Sequence, residues 1–362
     1  MPGAPSRFGP YLVLDQVGKG GMAMVHLAEN TETGKRVALK RLLPRAAANE
    51  QLVTWFLHEA QLLMHLDDKN IATTYDFGRY DGTFYIEMEY VRGPTLAQLV
   101  KRCDATIGKI PITITLNIAS QICAALDHAH HRCDEHGTPL GIVHRDVCPA
   151  NIILSETGVV KLIDFGLAKA KVSTADTGEG VIKGKFNYVA PEYLGGQLDA
   201  RADLWAVGVV MYELLTSRRL FNGEHDWDTM NRVRSLPIPP PSRGNPRVPP
   251  ALDAVVMSAL ERDLAKRCSS AATLRESLRA VIAQSGTGVD EAYVAGWVHR
   301  VFTQKAPGKR HRTTVGSIID FTPTGGELAL PAEESVRPRG RMWFAIIGLL
   351  VVAAAVWLIA AS

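Results

Sequence analysis

The chain has 362 residues, which is enough for one large or two modest domains with full-sized cores. Its formal net charge of +3 is too small to argue for a nucleic-acid partner, and none is expected. The five cysteines are odd in number and form no C-x-x-C pair, which argues against a zinc site or a disulfide framework and for a reducing compartment.

The first 90 residues are predicted to be rich in β-strands. Tyr11–Val17 and Met24–Glu29 flank a glycine turn, Arg36–Leu42 alternates as a third strand, and Thr83–Tyr90 is a further strand. One long amphipathic helix, at about residues 49–66, interrupts them. This pattern predicts a small lobe built on a sheet.

The chain turns mostly helical after Gly93. Helices are predicted at residues 113–133, 203–215, 251–260 and 271–283. A strand-rich lobe followed by a larger helical lobe predicts an α+β fold with a cleft where the lobes join, near residues 89–93.

A glycine turn separates the first two strands and reads G-x-G-G-x-A-x-V at residues 18–25. Glycines between two strands let the backbone approach phosphates without a Cβ in the way. No helix follows, so the turn does not indicate a dinucleotide fold, and it lacks the G-K-[ST] of a P-loop. On its own this signal is weak, because many hairpins carry glycines.

Lys40 stands on an otherwise apolar strand and needs an anionic partner. The long helix offers one, because Glu59 falls on the same face as its apolar residues. A carboxylate in that position is costly unless it is paired. The pattern therefore favours a Lys40–Glu59 ion pair over the alternative of a lone lysine and an exposed glutamate.

The densest chemical signal is H-R-D-V-C-P-A-N at residues 144–151, followed by D-F-G at residues 164–166. An aspartate, an asparagine five residues later and a second aspartate after an apolar run can hold a base and two metal ligands around one phosphate. Taken in order, these segments resemble the protein kinases, and most closely the bacterial eukaryotic-like serine/threonine kinases.

The resemblance covers residues 8–282 and implies the two-lobed protein kinase fold, with an N-lobe at 8–91 and a C-lobe at 92–282. It implies ATP and Mg²⁺ as cofactors and protein substrates as partners. The residues it assigns to the nucleotide are Val17, Gly18, Gly20, Gly21, Val25, Ala38, Lys40, Glu59, Glu89 and Val91.

The resemblance also assigns the chemistry. Asp146 is the catalytic base that accepts the proton of the substrate hydroxyl, and Asn151 and Asp164 hold magnesium. Ala190-Pro191-Glu192 closes the activation segment, and Glu192 is expected to pair with Arg267. Asp203 is expected to brace the catalytic loop from its helix.

Two positions depart from the family pattern. Cys148 replaces the usual catalytic-loop lysine, and Lys185 replaces the threonine of G-T-x-x-Y before A-P-E. One hypothesis is that the lysine has moved, so that Lys185 is a catalytic residue that meets the γ-phosphate. The alternative is a decaying kinase, which would make the protein a membrane-tethered pseudokinase scaffold. Intact Lys40, Asp146 and both metal ligands favour the active enzyme.

A small-molecule phosphotransferase is a third alternative, which the complete activation segment disfavours. Arg145 provides a cation that kinases commonly pair with a phosphorylated residue. We therefore expect autophosphorylation at Ser173, Thr174 or Thr177, with a homodimer as the arrangement for phosphorylation in trans.

The C-terminal part has a different composition. Residues 283–341 are rich in glycine and proline and read as a juxtamembrane linker, with one helix at 290–303 that is predicted to pack back on the domain. Residues 342–360 carry no charge and predict a transmembrane helix in the lipid bilayer rather than a buried core helix. Arginines flank only its N-terminal side, which predicts a single-pass cell-membrane protein with a cytoplasmic kinase domain.

Overall fold

A computed structural model describes residues 5–166, 186–195, 199–286 and 288–304. The chain begins with a six-stranded antiparallel sheet in the order β1-β2-β3-β4-β6-β5. Its strands are β1 (Ser6–Phe8), β2 (Tyr11–Lys19), β3 (Ala23–Asn30), β4 (Lys35–Leu42), β5 (Thr74–Tyr80) and β6 (Thr83–Glu89).

A short helix, α1 (Pro44–Ala47), and a longer one, α2 (Glu50–Leu63), lie between β4 and β5. Asn49 caps α2, because its side chain accepts hydrogen bonds from two amides of the first turn. The apolar face of α2, including Phe56 and Ala60, packs with Ile86 of the sheet. Glu59 lies on this buried face, as the sequence predicted.

The second lobe consists of helices and one short hairpin. Its helices are α3 (Leu96–Thr106), α4 (Ile112–His130), α5 (Arg201–Thr216), α6 (Asp226–Ser235), α7 (Pro250–Ala259), α8 (Ala271–Ser285) and α9 (Glu291–Thr303). The hairpin is β7 (Ile152–Leu154) with β8 (Val160–Leu162). Helix α5 is buried along almost its whole length and forms the centre of this lobe's core.

The predicted α+β, two-lobed architecture is confirmed, with differences in detail. Of the four predicted C-lobe helices, each is present within three residues of its expected ends. Strands β7 and β8 have only three residues each, which is too short for an alternating pattern to define them. Helix α6 was missed because it is mostly polar and buries only Thr229 and Val233.

Helix α9 lies inside the segment to which the sequence assigned a linker. The prediction that it forms a helix packed on the domain is confirmed, since Val294, Trp297, Val298 and Val301 are buried in the main core. Tyr293, which shares helical spacing with Trp297, is 48% exposed and does not join the core. The packed part of the chain therefore continues past residue 282, through α9.

Among the residues that the structure describes, no helix is long and apolar enough to cross a bilayer. Residues 342–360, for which the sequence predicts a transmembrane helix, lie outside the described residues.

Candidate active site

Lys40 forms an ion triad with two carboxylates in the cleft. Its Nζ lies 3.0 Å from Glu59 Oε1 and 3.1 Å from Asp164 Oδ1. The side chain of Glu59 is only 6% exposed, so the predicted pair is present and the alternative with an exposed glutamate is wrong. Burial by itself would lower the pKa of Lys40, but the charges of Asp164 and Glu59 outweigh it and raise that pKa above its usual value. Lys40 is therefore a fixed cation.

Asp146 is held by Asn151 of the same loop. The Nδ2 of Asn151 donates to the backbone oxygen of Asp146 at 2.9 Å and to its Oδ2 at 2.7 Å. A 3₁₀ turn at residues 149–151 brings the two together, and the Asn151 amide closes it on the carbonyl of Cys148. Asn151 thus orients the carboxylate of Asp146, a role that the sequence did not reveal.

Asp203, in the first turn of α5, binds the backbone of the loop that carries Asp146. Its carboxylate accepts hydrogen bonds of 2.8 Å from the amides of His144 and Arg145 and from Nε2 of His130. Burial tends to raise the pKa of Asp203, but the His130 bond and the surrounding donors hold it below its usual value. The predicted brace is present, and it includes His130, which the sequence had not singled out.

The segment at residues 164–166 packs against and hydrogen-bonds to the loop that carries Asp146. The Phe165 ring packs against the His144 ring with centroids 4.3 Å apart, and the Gly166 amide donates to the His144 carbonyl at 2.7 Å. Asp164 has a φ of 54°, which is uncommon for a residue with a side chain. These contacts hold Asp164 in a conformation that points its carboxylate at Lys40.

An apolar slot opens beside the triad, between the N-lobe sheet and the β7–β8 hairpin. Among its lining residues are Val17, Val25, Ala38, Met88, Ile153 and Leu162. The predicted residues Glu89 and Val91 border it where the lobes join. A flat aromatic base fits such a slot, since its faces meet apolar groups and its edge meets backbone.

The predicted glycines lie at the tip of the β2–β3 turn rather than along the slot. Gly18 pairs with Val25 in the sheet, and the Gly20 amide donates to the Ala23 carbonyl at 2.8 Å. The carbonyl of Gly21 accepts a hydrogen bond of 2.8 Å from Arg45. The turn therefore presents mainly backbone groups next to the slot.

The sequence did not reveal an ion pair that fixes Glu89. Lys161 Nζ on β8 lies 2.8 Å from Glu89 Oε2 and also donates to the carbonyl of Ile71. The Thr73 amide donates to the same carboxylate, and the Glu89 amide donates to the Thr73 carbonyl. The only signal in the sequence was a lysine on a short apolar strand.

Two further pairs anchor the end of the activation segment. Arg267 binds Glu192 through both of its terminal nitrogens, at 2.6 and 2.9 Å, as predicted. The hydroxyl of Tyr188 donates to Glu213 at 2.7 Å. Lys185 and the three candidate phosphorylation sites, Ser173, Thr174 and Thr177, lie outside the described residues.

A sheet-based lobe over a helical lobe, with a lysine–carboxylate triad facing an aspartate–asparagine loop, is the architecture of a protein kinase. The family model described as protein kinase domain matches residues 11–278, and the chain belongs to that family. It resembles the eukaryotic-like kinases of bacteria.

Several bacterial kinases are similar to this chain in sequence or structure. The chain is 31% identical to tyrosine-protein kinase MasK of Myxococcus xanthus over 90% of its length, and 35% identical to serine/threonine-protein kinase PrkC of Bacillus subtilis over 75%. It spans only 51% of MasK and 40% of PrkC. Among solved structures, the PknI kinase domain of Mycobacterium tuberculosis is 27% identical and superposes with a TM-score of 0.58, covering 77% of this chain and 98% of that one.

The pseudokinase alternative is not supported, because the described polar residues of the family pattern are in hydrogen-bonded positions. Lys40 contacts Glu59 and Asp164, and Asn151 holds Asp146.

Proposed function

We propose that this protein is an ATP-dependent serine/threonine protein kinase that transfers the γ-phosphate of ATP to protein hydroxyls. The observation that carries the proposal is the position of Lys40 Nζ, within 3.1 Å of both Glu59 and Asp164. In that position the ammonium is held at the mouth of the apolar slot, where it can meet phosphate oxygens.

The donor set fits ATP with Mg²⁺. The Asn151 nitrogen is committed to Asp146, which leaves its carbonyl oxygen for a metal, and Asp164 offers a carboxylate. Such hard oxygen donors suit Mg²⁺, which usually takes few protein ligands and completes its shell with phosphate and water. When bound, the ion neutralises charge on the phosphates. The adenine would lie in the slot, held by backbone groups of Glu89 and Val91.

The chain's own residues then supply positioning, charge and a proton acceptor. Asp146, oriented by Asn151, accepts the hydrogen of the substrate hydroxyl as the oxygen bonds to the γ-phosphorus and the bond to ADP breaks. Lys40 holds phosphate oxygens, and Glu59 keeps it in place. The transfer depends on positioning and electrostatics rather than on a covalent enzyme intermediate.

The test is incorporation of label from γ-labelled ATP, comparing wild type with Asp146→Asn. We expect labelling only in the wild type, because the amide cannot accept the proton. Signal in neither protein would contradict the proposal and favour the scaffold. Phosphoamino-acid analysis of the product separates serine and threonine, as in the name of PrkC, from tyrosine, as in the name of MasK.

We further propose that Lys185 replaces the missing catalytic-loop lysine. Cys148 brings no cation to the loop. Burial raises the pKa of Tyr188, and Glu213 and the nearby Cys148 add to that effect, so Tyr188, which follows Lys185 by three positions in the sequence, lies near Cys148. Lys185→Thr should lower the rate about 10²-fold, and adding Cys148→Lys should restore part of it. An unchanged rate for Lys185→Thr would rule the replacement out.

Autophosphorylation of the activation loop is part of the same proposal. The Nε of Arg145 is buried and has no hydrogen-bond partner among the described residues, which suits an incoming phosphate. Phosphopeptide mapping should find phosphate on Thr174 or Thr177 ahead of Ser173. Mixing wild type with Asp146→Asn tests phosphorylation in trans by a homodimer, because only the wild type could label the variant. A fully active enzyme without phosphate on this loop would contradict the proposal.

Membrane anchoring completes the proposed function. The uncharged segment 342–360 is long enough to span a bilayer, and the flanking arginines favour a cytoplasmic kinase domain. The full chain should sediment with membranes after an alkaline carbonate wash. A variant that ends at residue 341 should stay in the supernatant. If the full chain also stayed in the supernatant, even without the carbonate wash, the anchor would be ruled out.

A further inference from the structure

Helix α9 is held at both ends by side chains from other parts of the kinase domain. At its start, Asn117 Nδ2 on α4 donates to the Val289 carbonyl at 2.9 Å, and Lys69 Nζ lies 2.7 Å from Glu291 Oε1. At its end, Arg102 on α3 donates to the carbonyls of Val301, Phe302 and Gln304. The helix is therefore tied by hydrogen bonds as well as by its apolar face.

The first turn of α9 also contacts the β7–β8 turn. Gly158, at a φ of +84°, lies so close that a Cβ on it would sit 1.8 Å from the Glu291 carbonyl oxygen. No side chain fits between the two segments. The start of α9 and the turn that leads into β8 are thus in direct backbone contact.

A chain of buried amides runs inward from α9 to β8. Asn117 Oδ1 accepts a hydrogen bond of 2.7 Å from Gln121 Nε2, and Gln121 Oε1 accepts one of 2.8 Å from Asn70 Nδ2. Gln121 Oε1 also accepts the Val160 amide at 2.9 Å, and Asn70 Nδ2 donates to the Val160 carbonyl at 2.8 Å. Asn70, which is 1% exposed, accepts the Leu162 amide on its own carbonyl.

The direction of each amide in this chain is set by its neighbour. An amide offers a carbonyl on one side and an NH₂ on the other, so reversing one of them would set oxygen against oxygen. The Val289 carbonyl fixes Asn117, Asn117 fixes Gln121, and Gln121 presents the acceptor that Asn70 and Val160 share. Without α9, Asn117 would lose the Val289 carbonyl that orients its amide among the described residues. Gln121 would keep the Val160 amide, Asn70 and a long bond of 3.5 Å to the Gly158 carbonyl, so the amide chain would be held less firmly at its outer end.

The inner end of the chain adjoins the reacting groups. Leu162 is followed by Ile163, whose amide donates to the Asn151 carbonyl at 3.0 Å, and then by Asp164. The loop that contains Asn70 also connects α2, which carries Glu59, to β5. Both carboxylates of the Lys40 triad thus depend on segments that the amide chain fixes.

We propose that α9 is a positioning element for phosphate transfer, and that Asn117, Gln121 and Asn70 are positioning residues that act through β8 on Asp164. The inference rests on the proposed kinase function. Docking of α9 favours the arrangement in which Asp164 and Asn151 together are ready for a metal. A partner that displaced α9 would weaken metal and nucleotide binding without touching the cleft.

The test is Asn117→Leu in the full chain, with Asn245→Leu as the matched control. Both variants replace a buried or half-buried amide that donates to a backbone carbonyl; Asn245 bonds the Leu215 carbonyl at the end of α5. Initial rates are measured over a range of Mg²⁺ and ATP concentrations, at a temperature where both variants are folded. We expect Asn117→Leu to raise the apparent KM for Mg²⁺ about 5- to 10-fold, with a smaller change in kcat, because leucine removes both hydrogen bonds of the Asn117 side chain and each contributes modestly. Asn245→Leu should leave KM unchanged.

A second measurement is independent of activity. Hydrogen exchange of the peptide 158–166 should be about 5- to 10-fold faster in Asn117→Leu than in wild type, and unchanged in Asn245→Leu. If the wild type is inactive but this exchange difference appears, the proposed function fails and the structural coupling of α9 to β8 and Asp164 stands. If the enzyme is active and neither KM nor exchange separates the two variants, the positioning role is overturned.

Discussion

The buried carboxylate of Asp203 accepts a hydrogen bond of 2.8 Å from the backbone amide of Arg145, a residue whose φ is 65°. A left-handed backbone is unfavourable for a residue with a side chain and persists only where its surroundings hold it. Here the backbone is held by Asp203 in the first turn of α5, 58 residues further along the chain. The conformation of the catalytic loop, and with it the direction of Asp146, therefore depends on a residue that has no part in the chemistry.

Replacing Asp203 with asparagine should lower both stability and activity. Three donors converge on this carboxylate, and an amide in its place would set an NH₂ group against one of them. The loss should be about 3 kcal/mol in the free energy of unfolding, measured by urea denaturation. Asp253→Asn is the control, because Asp253 lies half-buried in the first turn of α7 and, among the described residues, its side chain accepts one hydrogen bond, from the Ser242 amide. Equal losses in the two variants would contradict the special role of Asp203.

Lys40→Met should reduce kcat by about 10²- to 10³-fold, the usual effect of removing one preorganised charge from a shielded site. It should also destabilise the fold, because it leaves Glu59 buried without its cation. Lys35→Met, at the exposed start of the same strand, is the control and should change neither property. Since the pKa of Lys40 is raised, its proton should stay bound, and the rate should show no loss from its deprotonation below pH of about 10.

Local periodicity was enough to predict the parts of the site that lie on regular elements. Lys40 stood out as a charge on an apolar strand and Glu59 as an acid on an apolar helix face, and the two do meet. The spacing of Asp146 and Asn151 within one loop likewise brought them together. The Asp203 brace came from the family resemblance, because nothing in its own helix shows what its carboxylate binds.

Contacts between distant polar residues could not be predicted in this way. Asn70 and Gln121 lie 51 residues apart, and Lys161 and Glu89 lie 72 apart. Nothing in the sequence around a single asparagine or glutamine shows that it will be buried, since these residues are usually exposed. Their partners are set by the packing of whole elements, which the periodicity of one segment does not specify.

The Glu192–Arg267 pair should behave as a buried ion pair. Arg267 is fully buried, and besides Glu192 it binds the carbonyls of Glu261 and Arg201. Arg267→Met should cost about 3–5 kcal/mol in the free energy of unfolding, because it leaves a buried carboxylate unpaired. The exposed pair of Lys266 with Asp263 is the control, and Lys266→Met should cost less than about 1 kcal/mol.

A double variant tests the cause of that loss. Glu192→Gln combined with Arg267→Met removes the unpaired charge, so it should be more stable than Arg267→Met alone. If the double variant were less stable than Arg267→Met, the lost packing and carbonyl bonds of the arginine would explain the effect instead.

His26 should make the N-lobe sensitive to mild acid. Burial in β3, together with the nearby Arg41 cation, lowers the pKa of His26 to about 4, so the imidazole is neutral in the folded protein. An unfolded histidine titrates near pH 6.5, so below that pH the unfolded chain binds the proton and the folded one does not. The free energy of unfolding should therefore show no loss from His26 above pH 6.5. It should fall as the pH drops toward 4, by roughly 1–2 kcal/mol at pH 5.

The measurement is urea denaturation at pH 7 and pH 5 for the wild type, His26→Gln and His136→Gln. His26→Gln has no proton to bind, so its loss of stability between the two pH values should be smaller than that of the wild type by roughly 1–2 kcal/mol. His136 is exposed in a loop, and His136→Gln should lose as much stability as the wild type. If His26→Gln showed the same pH dependence as the wild type, the acid sensitivity between pH 7 and pH 5 would have to come from groups other than His26. The buried carboxylate of Asp203 would not be among them, because its lowered pKa withdraws stability only below a pH of about 4.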